Sequence, residues 1–170
     1  VLGVEIVIAQ GTHQAFHPGR TAQLRTQDGQ TIGYAGELHP KLLQTENLPE
    51  RTCAFEVNFT ALFASRSGVP QASPIYGYPA ATQDVALVVD ENIPASEVAQ
   101  ALRDGAGELL EDLRVFDDYR GQGVESGKKS LAFAMRFRAP DRTLTAEEAS
   151  ASREAAVAVA AERFGAVARV

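Results

Sequence analysis

The sequence predicts an α+β chain in which a β-rich first part precedes an antiparallel sheet carrying two helices on one face. Three observations predict it. Residues 130–138, SLAFAMRFR, alternate strictly, with Leu131, Phe133, Met135 and Phe137 at one parity and Ser130, Ala132, Ala134, Arg136 and Arg138 at the other, the pattern of a half-buried strand. Thr145 followed by Glu148 is a capping box ahead of a helix over 146–164, and Gly165 supplies its C-terminal break. The segments of the second half follow one another as β-α-β-β-α-β, an order that places both helices on one side of a four-stranded sheet.

In chain order, Val4 to Ala9, Thr21 to Arg25, Thr31 to Gly36 and Cys53 to Asn58 read as short strands. Turns at His17-Pro18-Gly19-Arg20, Gln27-Asp28-Gly29 and His39-Pro40 are expected to separate them, the Asp28-Gly29 pair being a hairpin signal. No long helix is expected here, and residues 1–63 read as the completing part of a larger domain. Residues 64–79, ASRSGVPQASPIYGYP, have three prolines and no period, which predicts a connection over 64–77. A strand Asp84 to Asp90 follows, then a helix Pro94 to Leu102 with Pro94 in its first turn, ended by Gly105 and Gly107. A strand Leu113 to Tyr119, a loop Arg120 to Gly127 and the strand Ser130 to Arg138 pair as a hairpin, and Ala166 to Val170 is a last strand. Residues 78–170 thus form a ferredoxin-like domain. The helices cover Val85, Leu87, Leu131, Phe133 and Phe137, which leaves Ala86, Val88, Ser130, Ala132 and Ala134 on an open face.

Composition narrows the function. The chain has 170 residues, 45% hydrophobic and 22% charged, with no tryptophan and no apolar run long enough to cross a membrane. It starts Val-Leu-Gly with neither an initiator methionine nor a signal-peptide pattern, which reads as a cut inside a longer protein. One cysteine, Cys53, excludes an internal disulfide and a cysteine zinc cluster and fits a reducing cytoplasmic setting; its neighbours Ala54-Phe55 suggest a buried thiol. Residues 76–170 carry 11 of the 16 basic groups and 16 of the 22 acidic ones, so no generic polyanion binder is expected.

Candidate sites follow from the same residues. His13 and His17 are spaced i, i+4, but Pro18-Gly19 argues against a helix, and turn or packing roles are favoured over metal binding. There is no GxxxxGK[ST], GxGxxG after a strand or GxSxG motif, and Gly121, Gly123 and Gly127 read as turn glycines. Asp117 and Asp118, adjacent on a strand, point to opposite faces and cannot form an acid/base dyad. Lys128-Lys129 with Arg136, Arg138 and Arg142 is the one basic cluster, which a solvated strand end and an RNA contact explain equally. An RNA-recognition motif needs stacking aromatics on the open face, whereas Phe133 and Phe137 fall at the covered parity. Tyr119 shares the parity of Leu113 and Val115, so either the open face is partly apolar or a bulge changes register before Asp117.

At this point the residues point to a family. YPAATQDVALVVDE (78–91), FDDYRG (116–121), GKKSLAFAMRF (127–137), RTLTAEEA (142–149) and FGAVAR (164–169) resemble the C-terminal anticodon-binding domain of the bacterial phenylalanyl-tRNA synthetase beta-subunit family. HPGRTA (17–22), IGYAGELHP (32–40) and AFEVNFTAL (54–62) are similar to the end of that subunit's class II-like core. The resemblance favours the two-subunit bacterial enzyme over one-chain mitochondrial forms. It implies a cytoplasmic alpha2-beta2 heterotetramer whose alpha subunit uses ATP and Mg2+ to attach phenylalanine to its tRNA. It further implies that this chain catalyses nothing, binds no cofactor, DNA or membrane, and reads the tRNA(Phe) anticodon stem-loop through Ala86, Asp117, Tyr119, Ser130 and Arg169. One departure stands out: Thr82-Gln83 precedes Asp84 where the family usually has one or two arginines. The alternatives are a ferredoxin-like subunit-contact module that never touches RNA and a ferredoxin-like hydrolase, for which no nucleophile-positioning loop can be located.

Overall fold

The computed structural model describes residues 3–66 and 77–169. The chain divides into two compact units, Val1–Ser73 and Pro74–Val170. Of the expected connection over 64–77, residues 67–76 lie outside the described residues.

In the first unit, β1 (Ile6–Gln10), β2 (Phe16–Thr26), β3 (Thr31–Leu38) and β4 (Cys53–Val57) form an antiparallel sheet in that order. Asp28-Gly29 makes the expected turn: Gly29 takes φ 86°, and the Thr26 hydroxyl donates to the Asp28 carboxylate, holding its pKa below the usual range. The other two expected turns belong to other elements. His17-Pro18-Gly19-Arg20 lies inside β2, where pairing steps from Phe16 opposite Leu38 to Thr21 opposite Gly36 and the surplus residues bulge from a continuous strand. Proline and glycine suit a bulge as well as a turn, which is why the sequence misleads there. His39-Pro40 opens α1 (Pro40–Thr45), with the His39 ring accepting the Lys41 N–H at 3.2 Å. A second short helix, α2 (Phe59–Ala64), is capped by Asn58. Cys53 is exposed, not buried. It sits on an edge strand whose Phe55, at the same parity, is 76% exposed, so its apolar flanks mark a face without cover among the described residues.

The second unit contains β5 (Ala81–Asp90), α3 (Ala95–Ala106), β6 (Leu110–Tyr119), β7 (Lys128–Phe137), α4 (Ala146–Phe164) and β8 (Val167–Ala168). Its sheet has the order β6-β7-β5-β8 with every pair antiparallel, which is the expected β-α-β-β-α-β arrangement. The capping box forms as read, with the Thr145 hydroxyl accepting the Glu148 N–H at 3.2 Å and the Glu148 carboxylate accepting the Thr145 N–H at 2.9 Å. Helix α3 outruns its expected end. Pro94 is its N-cap and Gly107 its C-cap, while Gly105 stays inside it. A Cβ on Gly105 would stand 2.7 Å from the Ala155 carbonyl oxygen and from Ala156 Cα, so this glycine allows α3 and α4 to close on each other. Leu87, Val98, Leu102, Leu131, Phe133, Met135 and Phe137 are all at 0% exposure between helices and sheet; burying each contributes about 1.5–3 kcal/mol. No helix among the described residues is long and apolar enough to cross a membrane.

Candidate nucleic-acid interface

Register decides what the open face of the second sheet presents. Across β5 and β7, Ala86 lies opposite Ala132 and Val88 opposite Ser130. On β6, Leu113 opposite Met135 and Val115 opposite Phe133 follow the core parity, and then the pairing slips by one so that Asp117 meets Ala132 and Tyr119 meets Ser130. Phe116 is the extra residue. Of the two readings the sequence left open, the bulge is the one that forms, and it turns Tyr119 away from the core and onto the open face. The face therefore carries two rows, Ala86–Ala132–Asp117 and Val88–Ser130–Tyr119.

The opposite edge supplies the fifth expected residue. The Arg169 N–H donates to the Ala86 carbonyl at 2.8 Å, and its guanidinium carbon lies 5.5 Å from the centre of the Tyr119 ring. Since β8 and β6 are the two edges of the sheet, roughly 14 Å apart at the usual strand spacing, these side chains meet above the small residues of β5 and β7. A larger residue at Ala86 or Ala132 would stand in their way. The Tyr119 hydroxyl donates to the Gln122 carbonyl at 3.3 Å, and the loop after β6 folds against the ring. A Cβ on Gly121 would stand 2.2 Å from the phenol oxygen, so Gly121 is where the loop passes the ring, a role beyond the turn glycine the sequence suggested. Tyr119 is 39% exposed, Asp117 and Arg169 are exposed, and Ser130 is buried at 4% in the floor between Val88 and Tyr119.

Charge is distributed differently from its appearance in the sequence. Asp118 lies opposite Leu131, on the other face from Asp117, and pairs with Arg120 at 2.9 Å. The apparent basic cluster is dispersed by carboxylates: Lys128 binds Glu125 at 3.1 Å, Arg136 and Arg138 share Glu111 at 2.6 and 3.1 Å, and Arg142 binds Glu148 at 2.7 Å. Lys129 is buried, and burial lowers its pKa from the ordinary 10.5 although Asp118 and Glu91 oppose the shift. Nδ1 of His13, His17 and His39 each accepts a backbone N–H two residues on, ahead of β2, within its bulge and at the start of α1 respectively. Among the described residues, no three His, Cys, Asp or Glu side chains are grouped to hold a metal ion.

Residues 77–169 match the family model described as ferredoxin-fold anticodon binding domain, and residues 1–59 match that of the phenylalanyl tRNA synthetase beta chain CLM domain. The chain is 55% identical over 170 residues to the phenylalanine–tRNA ligase beta subunit of Streptomyces avermitilis, covering 98% of this chain and 20% of that protein. It is 51% identical over 172 residues to that of Thermobifida fusca, covering 99% and 21%, and 48% identical over 171 residues to that of Mycobacterium leprae, covering 99% and 20%. It spans about a fifth of the length of these curated relatives.

Proposed function

Because the chain belongs to the ferredoxin-fold anticodon-binding domain family, we propose that it is the tRNA-recognising, non-catalytic part of a phenylalanine–tRNA ligase beta subunit. Residues 78–170 form the anticodon-binding domain, and residues 1–63 complete a class II-like core. The observation that carries this reading is the meeting of Tyr119 and Arg169 over a floor of Ala86 and Ala132 on the uncovered side of the sheet. Proteins read single-stranded RNA loops by stacking splayed bases on aromatic rings and bonding their edges. Tyr119 takes the stacked base, Asp117 and Ser130 accept or donate at base edges, and Arg169 holds a phosphate or a further edge. Ala86 lets the strand approach the backbone.

The complete enzyme, an alpha2-beta2 assembly in the cytoplasm, would use ATP and Mg2+ to charge tRNA(Phe). The described residues do not fit a magnesium–nucleotide site, because they hold neither a grouped carboxylate set nor a glycine-rich phosphate loop, so no step of that chemistry is derived from them. With 11 basic against 16 acidic groups in residues 76–170, indiscriminate RNA binding is disfavoured and most affinity for tRNA comes from the rest of the complex.

The test is binding of the chain to a phenylalanine-tRNA anticodon stem-loop and to a loop with substituted anticodon bases, at low and physiological salt. Preference for the natural anticodon is expected at both. Tyr119→Ala should weaken binding by about 1–3 kcal/mol, the worth of one stacked base. Absent or equal binding by a folded chain would favour the subunit-contact module.

A further inference from the structure

Resting on the reading of the open face as an RNA surface, we propose that Arg114 is a phosphate-binding residue at the end of that face remote from Tyr119. The loop strand then runs along β6 and β7, its bases over the Asp117 and Tyr119 rows and its backbone held at the far end by Arg114.

Most cations of the second unit are compensated. Arg120, Lys128, Arg136, Arg138 and Arg142 are neutralised by the carboxylates described above, and Arg153 and Arg163 likewise lie 3.8 and 2.5 Å from Glu154 and Asp104. Arg103 donates to the Leu113 carbonyl at 3.1 Å, and Lys129 is buried. Among the described residues of the second unit, this leaves two exposed cations with no carboxylate or carbonyl partner, Arg169 and Arg114. Both belong to the open face. Arg114 lies opposite Ala134, which itself lies opposite Asp84, one row beyond Ala86–Ala132–Asp117 and on the parity opposite to buried Leu113. Among the described residues, the acidic second unit thus keeps its unspent positive charge on the sheet face opposite α3 and α4, beside the carboxylates Asp84, Asp112 and Asp117.

Spacing gives the path. Arg114 and Tyr119 are separated along β6 by roughly 15 Å at the usual rise per residue, with Asp117 between them on the same face. An exposed guanidinium is suited to a phosphate, which it meets with parallel N–H donors. A phosphate contact positions the strand and carries no base information, so Arg114 has a signature different from that of Tyr119.

Arg114→Ala, Arg114→Lys and Tyr119→Ala in the full chain are compared on the stem-loops with natural and substituted anticodons over a salt series, with thermal melting as a control for folding. For Arg114→Ala we expect equal weakening for both loops of roughly two- to fivefold, the range of an exposed ion pair. The slope of log K against log salt should fall by about 0.7, and Arg114→Lys should recover most of it. If Arg114→Ala binds both loops as the parent does, with the same slope, while Tyr119→Ala loses affinity, Arg114 lies off the path and the anticodon reading stands. Loss of discrimination by Arg114→Ala without a change of slope would overturn the phosphate assignment in favour of base contact. Failure of the parent chain to bind either loop would overturn both the reading and this inference.

Discussion

The two faces of the β5–β8 sheet are built from the same strands and alternate residue by residue, yet they are opposite kinds of surface. One buries Leu87, Leu131, Phe133, Met135 and Phe137 completely under α3 and α4. The other sets alanines in its middle and places Tyr119 and Arg169 so that they meet above them. On the proposed reading of the open face, stability and recognition are separated by strand parity, so that a substitution on one face should leave the other's property nearly untouched. A single bulged residue, Phe116, is what moves Tyr119 from the first category into the second.

The largest effect that separates the faces should come from the covered one. Phe133→Ala removes a ring at 0% exposure and should cost about 3–5 kcal/mol of unfolding free energy, measured by denaturant titration; a cost below about 1 kcal/mol would mean that the face is not a packed core. On the open face, Gly121→Ala should show the reverse. Gly121 lacks a left-handed backbone angle, and the atoms nearest a new Cβ are all in the Tyr119 side chain, so it is the ring that must move. Stem-loop affinity should drop by up to the ~1–3 kcal/mol of one stacking contact, while the denaturation midpoint stays near that of the parent. A parent-like affinity would show that the ring's placement does not matter.

The smallest effect concerns Lys129, which lies on β7 beside Ser130 but at the covered parity. Its charged form is penalised by burial, so its folded pKa lies below 10.5. The cost is present in full below the folded pKa and is relieved as pH rises toward the unfolded value. Between the two values the unfolded chain binds more protons, and stability should rise with pH. Lys129→Met should remove that rise when the pair is compared by denaturant titration in stepped alkaline buffers. Parallel stability curves for the two proteins would sink this account of Lys129.

What the residues revealed in advance follows this division. The covered parity of 130–138 and the Thr145–Glu148 box were legible because each depends on neighbours within one turn or one strand. The bulge at Phe116 was legible only as one of two options, since an extra residue in a strand has no composition of its own. The surplus at His17–Arg20 reads as a turn because its proline and glycine suit a turn and a bulge alike. Cys53 was misread because apolar flanks report burial only where another element covers them. The basic stretch from Lys128 to Arg142 was misleading because its main neutraliser, Glu111, is a neighbour in the sheet and distant in sequence. Arg114 carries no signal of its own in the sequence for the converse reason, since what sets it apart is that most other cations of the second unit have carboxylate partners and it has none among the described residues.

The most direct test of the central claim uses the absence of tryptophan from the chain. Tyr119→Trp places the sole indole at the proposed stacking position, and its fluorescence is followed during titration with the anticodon stem-loop at physiological salt. Saturable quenching with the natural anticodon, weaker with substituted bases, is the predicted result. Binding of the stem-loop, detected independently by a label on the RNA, with no change in the fluorescence would place the contact away from Tyr119 and contradict the account.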